Sequence, residues 1–179
     1  MRGLSVVAVL VLCGVAVARP MVERVLDPSG VSSGALAVRS GSLPDPAMTP
    51  GAVNPAVTQK TIGETICVRG WTRTVRPPED YTYDLKRRQI RAYGYADRRL
   101  RDYEEDHLVS LELGGSPDDS RNLWPEPHHT ADGWGSYRKD ELENALKRLV
   151  CSGRVSLTDA QRAIATDWIA AYRRYVGGS

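Results

Sequence analysis

Two adjacent polar residues and one asparagine are the first candidates for chemistry in this sequence. Asp106 and His107 are neighbours at the end of an acidic run, and Asn122 follows fifteen residues after the histidine. A carboxylate, an imidazole and a carboxamide can between them bind a metal ion, move a proton and form hydrogen bonds. Taken singly, such residues are usually ordinary surface or turn positions. Their meaning therefore depends on the elements that position them.

The segment between these residues is typical of a short hairpin-like unit. Residues 108–113 are rich in apolar side chains, the glycine pair at positions 114 and 115 interrupts them, and a polar turn follows over 116–121. This pattern predicts a strand that carries Asp106 and His107, a glycine turn, and a returning strand led by Asn122. Such a unit can bring the three polar side chains to one point.

In these residues the sequence resembles the HNH endonucleases with a ββα-metal site. The first motif of that family, D-H followed by apolar residues and G-G, is matched at positions 106–115, and its N-L motif is matched at positions 122 and 123. With K-D-x-L-E at 139–143, the sequence is similar in particular to a secreted bacterial branch, and the resemblance covers residues 47–175. It implies an α+β fold, with a small ββα-metal core, a short N-terminal strand and helix, and two C-terminal helices.

The resemblance also implies roles for the three residues. In the HNH scheme a histidine takes the proton from water, and one divalent ion stabilises the charge on phosphorus and on the leaving oxygen. Carried over by position, His107 is the general base, Asp106 is a metal ligand, and Asn122 holds the His107 ring by hydrogen bonding. Because successive strand residues point to opposite faces, the resemblance further implies a tilt at the strand end.

The third motif of the family is where this sequence departs from the pattern. The residue three before Lys139 is Ser136, a poor metal ligand where relatives carry histidine or asparagine. Three substitutes are available, namely His128, His129 and a carboxylate such as Asp140. We favour His129, since it lies nearer the following helix, while a solvated loop position is the alternative for both histidines.

The expected cofactor is one divalent metal ion. Hard oxygen ligands favour Mg²⁺, whereas two imidazole ligands favour Zn²⁺, Mn²⁺ or Ni²⁺. The expected function is that of a secreted metal-dependent endonuclease acting on DNA, or also on RNA, with little sequence specificity, because no base-reading helix or zinc finger is recognisable. The alternative is a non-catalytic exported binding domain that retains the scaffold, which Ser136 at the third motif makes credible.

A local excess of positive charge lies next to the candidate site. Residues 69–101 contain ten Lys or Arg against four Asp or Glu, although the formal net charge of the chain is only +2. A basic surface suits a polyanion held by its phosphates, and the alternative is a solvated helix face. The residues expected to bind nucleic acid are Lys86, Arg87, Arg88 and Arg91.

The N-terminal region predicts export. Residues 1–18 combine one positive charge, a short apolar run and an A-x-A site, which is typical of a signal peptide cleaved after Ala18. The mature protein is then expected to be secreted, monomeric and free of the membrane, and the sequence does not identify an immunity partner. Lipidation at Cys13 is the alternative, although Leu12 stands where a small residue would be wanted. Residues 19–50 have linker composition, and residues 51–179 are the expected domain.

Signal cleavage leaves Cys67 and Cys151 as the only cysteines. An even pair of thiols in an oxidising compartment predicts a disulfide that closes a loop around the whole candidate site. The alternatives are two buried free thiols or zinc binding, and neither cysteine belongs to a C-x-x-C pair.

Periodicity and turn signals predict the remaining elements. A short strand is expected at 65–68, followed by an extended arm at 72–78 that ends at two prolines. A helix with Thr82 as its N-cap is expected at 81–93, and Gly94 ends it. Two amphipathic helices are expected at 139–150 and 157–175, the second capped by Ser156 and offered a capping box by Thr158 and Gln161.

Overall fold

A computed structural model describes residues 41–177. The expected signal peptide, Cys13 and residues 19–40 of the expected linker lie outside these residues. The described chain mixes helix with a two-stranded antiparallel sheet, which is compatible with the expected α+β class. The helices are α1 (Trp71–Val75), α2 (Glu79–Ala92), α3 (Ser136–Cys151) and α4 (Leu157–Tyr175), and the strands are β1 (Tyr103–His107) and β2 (Leu123–Pro127). Within residues 41–177, no helix has the length and apolar composition that a membrane span requires.

The two strands form an antiparallel hairpin. In its register Tyr103 lies opposite Pro127, and His107 lies opposite Leu123. Every residue of β2 is buried, and Trp124, opposite Asp106, is fully enclosed. The connection between the strands is long and includes a 3₁₀ turn at Leu111–Leu113, so the apolar segment at 108–113 does not extend the strand as predicted. Its leucines are buried as packing for the core instead.

Helix α2 packs directly against the hairpin. Leu85 and Ile90 bury its apolar face. Two polar side chains of the same helix reach the strands, since the Gln89 amide donates to the Leu123 carbonyl at 2.9 Å and the Lys86 ammonium donates to the Tyr103 carbonyl at 3.0 Å. These bonds fix the helix beside β1.

The main core lies where α3 and α4 pack on each other and on the segment after β1. The largest enclosed apolar side chains of the two helices are Leu142, Leu146, Ile164 and Trp168. The predicted start of α4 is confirmed, because the Ser156 hydroxyl accepts a hydrogen bond from the Asp159 amide, as an N-cap residue does. The capping box is not formed, since the Gln161 side chain donates to the Leu113 carbonyl instead.

The predicted disulfide is confirmed between Cys67 and Cys151, which are 84 residues apart. It ties the segment before α1 to the last residue of α3. The loop that it closes contains both strands and the start of α3, so the bond encloses the candidate site as expected.

The segment between residues 65 and 82 differs from the prediction. Residues 65–68 form turns and not a strand, and residues 71–75 form α1 where an extended arm was expected. The partly buried Trp71 packs on the core and gives this short helix a tertiary support that local pattern does not reveal. Helix α2 begins earlier than predicted, at Glu79 after Pro78, and Thr82 lies inside it, donating to the Glu79 carbonyl.

Residues 41–50, predicted as linker, belong to the fold. Thr49 is buried and its hydroxyl lies 2.6 Å from the Tyr93 hydroxyl. The Trp168 indole donates to the Ser42 carbonyl at 2.9 Å. A proline- and serine-rich composition therefore did not locate the start of the ordered chain, because these contacts join residues far apart in sequence.

Candidate functional site

His107 ends β1 and is 4% exposed. Its Nε2 lies 2.8 Å from the carbonyl oxygen of Pro117. A carbonyl oxygen can only accept a hydrogen bond, so Nε2 carries the proton and Nδ1 keeps its lone pair. Burial lowers the pKa of His107, although the carboxylate of Asp106 acts in the opposite direction. The ring is therefore neutral at neutral pH, with one nitrogen free to take a proton.

Asn122 was predicted to hold the His107 ring by a hydrogen bond, and this prediction is wrong. The side chain is fully buried and bonds to backbone groups, since its oxygen accepts from the Val109 amide at 2.9 Å and its nitrogen donates to the carbonyls of Val109 (3.0 Å) and Ser116 (2.9 Å). Ser116 directly precedes Pro117, the residue whose carbonyl holds the ring. Asn122 therefore acts on His107 only through the loop between the strands.

A buried lysine of α3 forms an ion pair with the carboxylate of Asp106. Lys139 is fully buried, and its Nζ lies 2.5 Å from Asp106 Oδ2, while the Asp106 side chain remains 16% exposed. Burial alone would raise the pKa of Asp106, but Lys139 and His107 outweigh it and hold the pKa below its usual value. Asp106 is thus ionised at neutral pH, and its second oxygen is not used by Lys139.

The ammonium of Lys139 has three N–H donors, and each has an acceptor. Besides Asp106, it donates to the backbone carbonyl of His107 at 2.8 Å and to the carboxylate of Glu143. Glu126 lies 4.0 Å away. Burial opposes the charged form of Lys139, but these carboxylates raise its pKa well above the usual value. One lysine therefore fixes both the side chain of Asp106 and the backbone of His107.

Two further carboxyl groups of this cluster are not ordinary anions. Glu126 is fully buried beside Asp106 and Lys139, and in its uncharged form it can donate a hydrogen bond to the Asp106 carboxylate. Burial raises its pKa well above the usual value, with Lys139 acting only partly against this. Burial likewise raises the pKa of Glu143 to about 7, although Lys139 and Ser110 favour its charged form. At neutral pH Asp106 is therefore ionised beside Lys139, Glu143 is only partly ionised, and burial favours the uncharged form of Glu126.

Asp106 and His107 border the same small cleft, as the predicted tilt required. The cleft has a volume of about 200 Å³ and is also lined by Arg76, Asp140 and Glu143. Burial and the charge of Asp106 raise the pKa of Asp140. Two neighbouring residues of β1, the second of them its last residue, thus border one cleft.

A larger groove continues from His107 between α2 and β1, and we call it the α2–β1 groove. Its volume is about 470 Å³, and its lining includes Tyr83, Lys86, Glu104, Glu105 and His128. His107 and Arg76 line both this groove and the small cleft. The candidate base thus lies where the two cavities meet.

His128 and His129, the predicted further metal ligands, lie away from Asp106. His128 is four residues beyond Trp124, the partner of Asp106, which corresponds to about 13 Å along the strand. Its Nδ1 lies 2.9 Å from the hydroxyl of Ser136 and its ring stacks on Tyr137. The exposed His129 ring also lies against Tyr137.

Asp140, the remaining substitute, is the one that the structure brings to the cleft of Asp106. Across residues 41–177, no group of three or more His, Cys, Asp or Glu side chains is arranged to hold a metal ion.

The predicted basic set divides into two parts. Lys86 is partly buried and lines the α2–β1 groove. Arg87, Arg88 and Arg91 are exposed and do not line it, and Arg87 lies 3.9 Å from Asp84. Arg76 lines both cavities and was not among the residues predicted to bind nucleic acid. Sequence reasoning also missed the burial of Lys139, although its spacing from Leu142 and Leu146 places it on the apolar face of α3.

Comparison of the chain with protein-family models, with curated proteins and with solved structures found no match.

Proposed function

We propose that this protein is an endonuclease that hydrolyses phosphodiester bonds of nucleic acid, with His107 as the general base. The observation that carries the proposal is the hydrogen bond from His107 Nε2 to the Pro117 carbonyl. It fixes the tautomer and leaves Nδ1 as the acceptor for a proton of the attacking water. The resemblance of the D-H, G-G and N-L motifs to the HNH endonucleases points to the same role.

The charges around His107 suit a phosphate. Arg76 borders both cavities that meet at the ring, so its guanidinium can pair with phosphate oxygens on either side of the bond to be cleaved. Lys86 adds a second cation in the α2–β1 groove. Fixed cations of this kind stabilise negative charge that develops on phosphorus without reorganisation during the reaction.

The donor set fits a hard divalent ion such as Mg²⁺. Asp106 retains one carboxylate oxygen outside its bond to Lys139, and Asp140 borders the same cleft. Mg²⁺ is commonly held by one or two carboxylates with water and substrate phosphate completing its shell. When bound, the ion would polarise the phosphate and stabilise the leaving oxygen. Imidazole-preferring metals fit less well, because His128 and His129 lie towards the other end of the hairpin.

Digestion of plasmid DNA and of RNA by the mature protein, with and without Mg²⁺, tests the proposal. His107→Ala should reduce cleavage by roughly 10²–10⁴-fold, as loss of a general base does. His129→Ala is the matched control and should retain activity, because its exposed ring lies against Tyr137. Full activity of His107→Ala would contradict the proposal, and failure of the wild-type protein to cleave with any divalent ion would favour a non-catalytic binding domain.

Metal affinity measured by calorimetry distinguishes the role of Asp106 as a metal ligand from that of His107 as the general base. Asp106→Asn keeps the shape of the side chain but removes its charge, so it should weaken Mg²⁺ binding and cleavage together. His107→Ala should bind Mg²⁺ as the wild type does. If His107→Ala loses the ion as badly as Asp106→Asn, His107 is a ligand and not the base.

A further inference from the structure

We propose that the α2–β1 groove binds a single strand of nucleic acid and that Tyr83 stacks on one of its bases. The inference rests on the proposed function, since it runs the strand past His107, and it adds the strandedness of the substrate. It is drawn from the shape, the aromatic side chain and the charge of the groove.

The shape of the groove suits one strand. It follows β1 from His107 to Tyr103, four residue steps or about 13 Å, and the face of α2 that carries Thr82 and Lys86 forms its other side. Its volume is about 470 Å³ and His128 borders it near Tyr103. A duplex has its bases already stacked and presents two rows of phosphates, so it could touch only the rim. A single strand can enter with its bases open.

Tyr83 is placed to meet such a base. It lies on α2, lines the groove, and is 50% exposed, one of the most exposed large hydrophobic side chains of the described residues. Base–aromatic stacking is the main sequence-tolerant contact of proteins that bind single strands, because every base has a free π-face. The neighbouring Lys86 and Arg76 provide cations for the phosphates on either side.

The charges that line the groove are mixed. The cations are Arg76 and Lys86, and the carboxyl groups are Glu79, Glu104 and Glu105. Both carboxyl oxygens of Glu105 are buried, so a strand in the groove would not meet them. Arg76 and Lys86 are the side chains that can pair with the phosphates beside the base that stacks on Tyr83.

Fluorescence anisotropy tests this inference in the His107→Ala protein, so that cleavage cannot deplete the probe. The probes are a short fluorescein-labelled DNA strand of mixed sequence and the duplex that it forms with its complement. The single strand should bind more tightly. Tyr83→Ala should weaken single-strand binding by about 5- to 150-fold, the range for loss of one base–aromatic stack. Tyr83→Phe keeps the ring and should bind as the parent does.

Tyr137→Ala is the matched control, because Tyr137 is also exposed, at 59%, but does not line the groove. Equal affinity for strand and duplex, or equal effects of Tyr83→Ala and Tyr137→Ala, overturns the inference and leaves the proposed function standing. Conversely, single-strand binding that depends on Tyr83 in a protein whose wild type cleaves nothing supports the groove and contradicts the proposed function.

Discussion

The ammonium of Lys139 lies 2.5 Å from Asp106 and 2.8 Å from the carbonyl oxygen of the next residue, His107. A single buried cation on α3 therefore holds the last two residues of β1, one through its side chain and the other through its backbone. Because the imidazole of His107 is fixed at the same time by Pro117, the candidate base is anchored at both its backbone and its ring.

Lys139→Met should destabilise the protein by about 3–5 kcal/mol, because it leaves the carboxylates of Asp106 and Glu143 without their buried partner. Urea unfolding at neutral pH measures the loss. Lys147→Met on the same helix is the matched control, since Lys147 and Glu112 form an ion pair at 2.8 Å that is 26% and 24% exposed. It should cost less than about 1 kcal/mol. Similar losses for the two variants would contradict a special role for the buried lysine.

Asn122→Ala should destabilise the protein by about 2–4 kcal/mol, because it leaves the buried amide and carbonyl of Val109 without partners. Cleavage should fall by about 10–100-fold, as for other residues that orient a catalytic group indirectly. Asn54→Ala, which removes an exposed side-chain bond to Ala56, is the control and should change both quantities little. Cleavage at the wild-type rate would show that the loop holds His107 without Asn122.

Replacing both cysteines by alanine should cost about 4 kcal/mol of unfolding free energy, since the disulfide closes a loop between residues 84 positions apart. Denaturant unfolding of the double variant and of the reduced wild type should give similar losses. Reduction should leave the stability of the double variant unchanged. Two alkylatable thiols in the unreduced mature protein would contradict the bond.

The stability of the wild type should fall as the pH rises above about 7, because burial raises the folded-state pKa of Glu105 to about 8 and that of Glu126 well above its usual value. Glu126 has a pKa raised well above its unfolded value of 4.5, so its stabilising contribution is lost as the pH rises through the folded pKa. Glu126→Gln should flatten the slope of unfolding free energy by up to about 1.4 kcal/mol per pH unit. His107 does not contribute to the slope above pH 7, because its imidazole is neutral there in both the folded and the unfolded protein.

Glu104→Gln is the control for this slope. The pKa of Glu104 is raised only to about 6, so its carboxyl is already ionised in the native state above neutral pH. Its replacement should leave the slope above about pH 7 nearly unchanged. If Glu126→Gln also leaves the slope unchanged, burial does not keep Glu126 protonated in the folded protein.

Local sequence determined much of the helical framework. The bounds of α4, its Ser156 cap and the existence of α2 and α3 follow from apolar periodicity and capping residues, which act over a few positions. The disulfide also follows from the sequence, because only two cysteines remain after the expected signal cleavage. Asp106 and His107 were identified as neighbours of one cleft by their motif.

What surrounds those two residues was decided by tertiary structure. The Lys139 ammonium reaches Asp106 across 33 residues of sequence, and no local pattern distinguishes a lysine that is buried among three carboxyl groups from one that is solvated. The register of the hairpin separates His128 from Asp106, whereas the packing of α3 places Asp140 at the cleft. Burial and long-range hydrogen bonding set these outcomes, and both depend on which elements pack together, so residue type and spacing alone could not supply them.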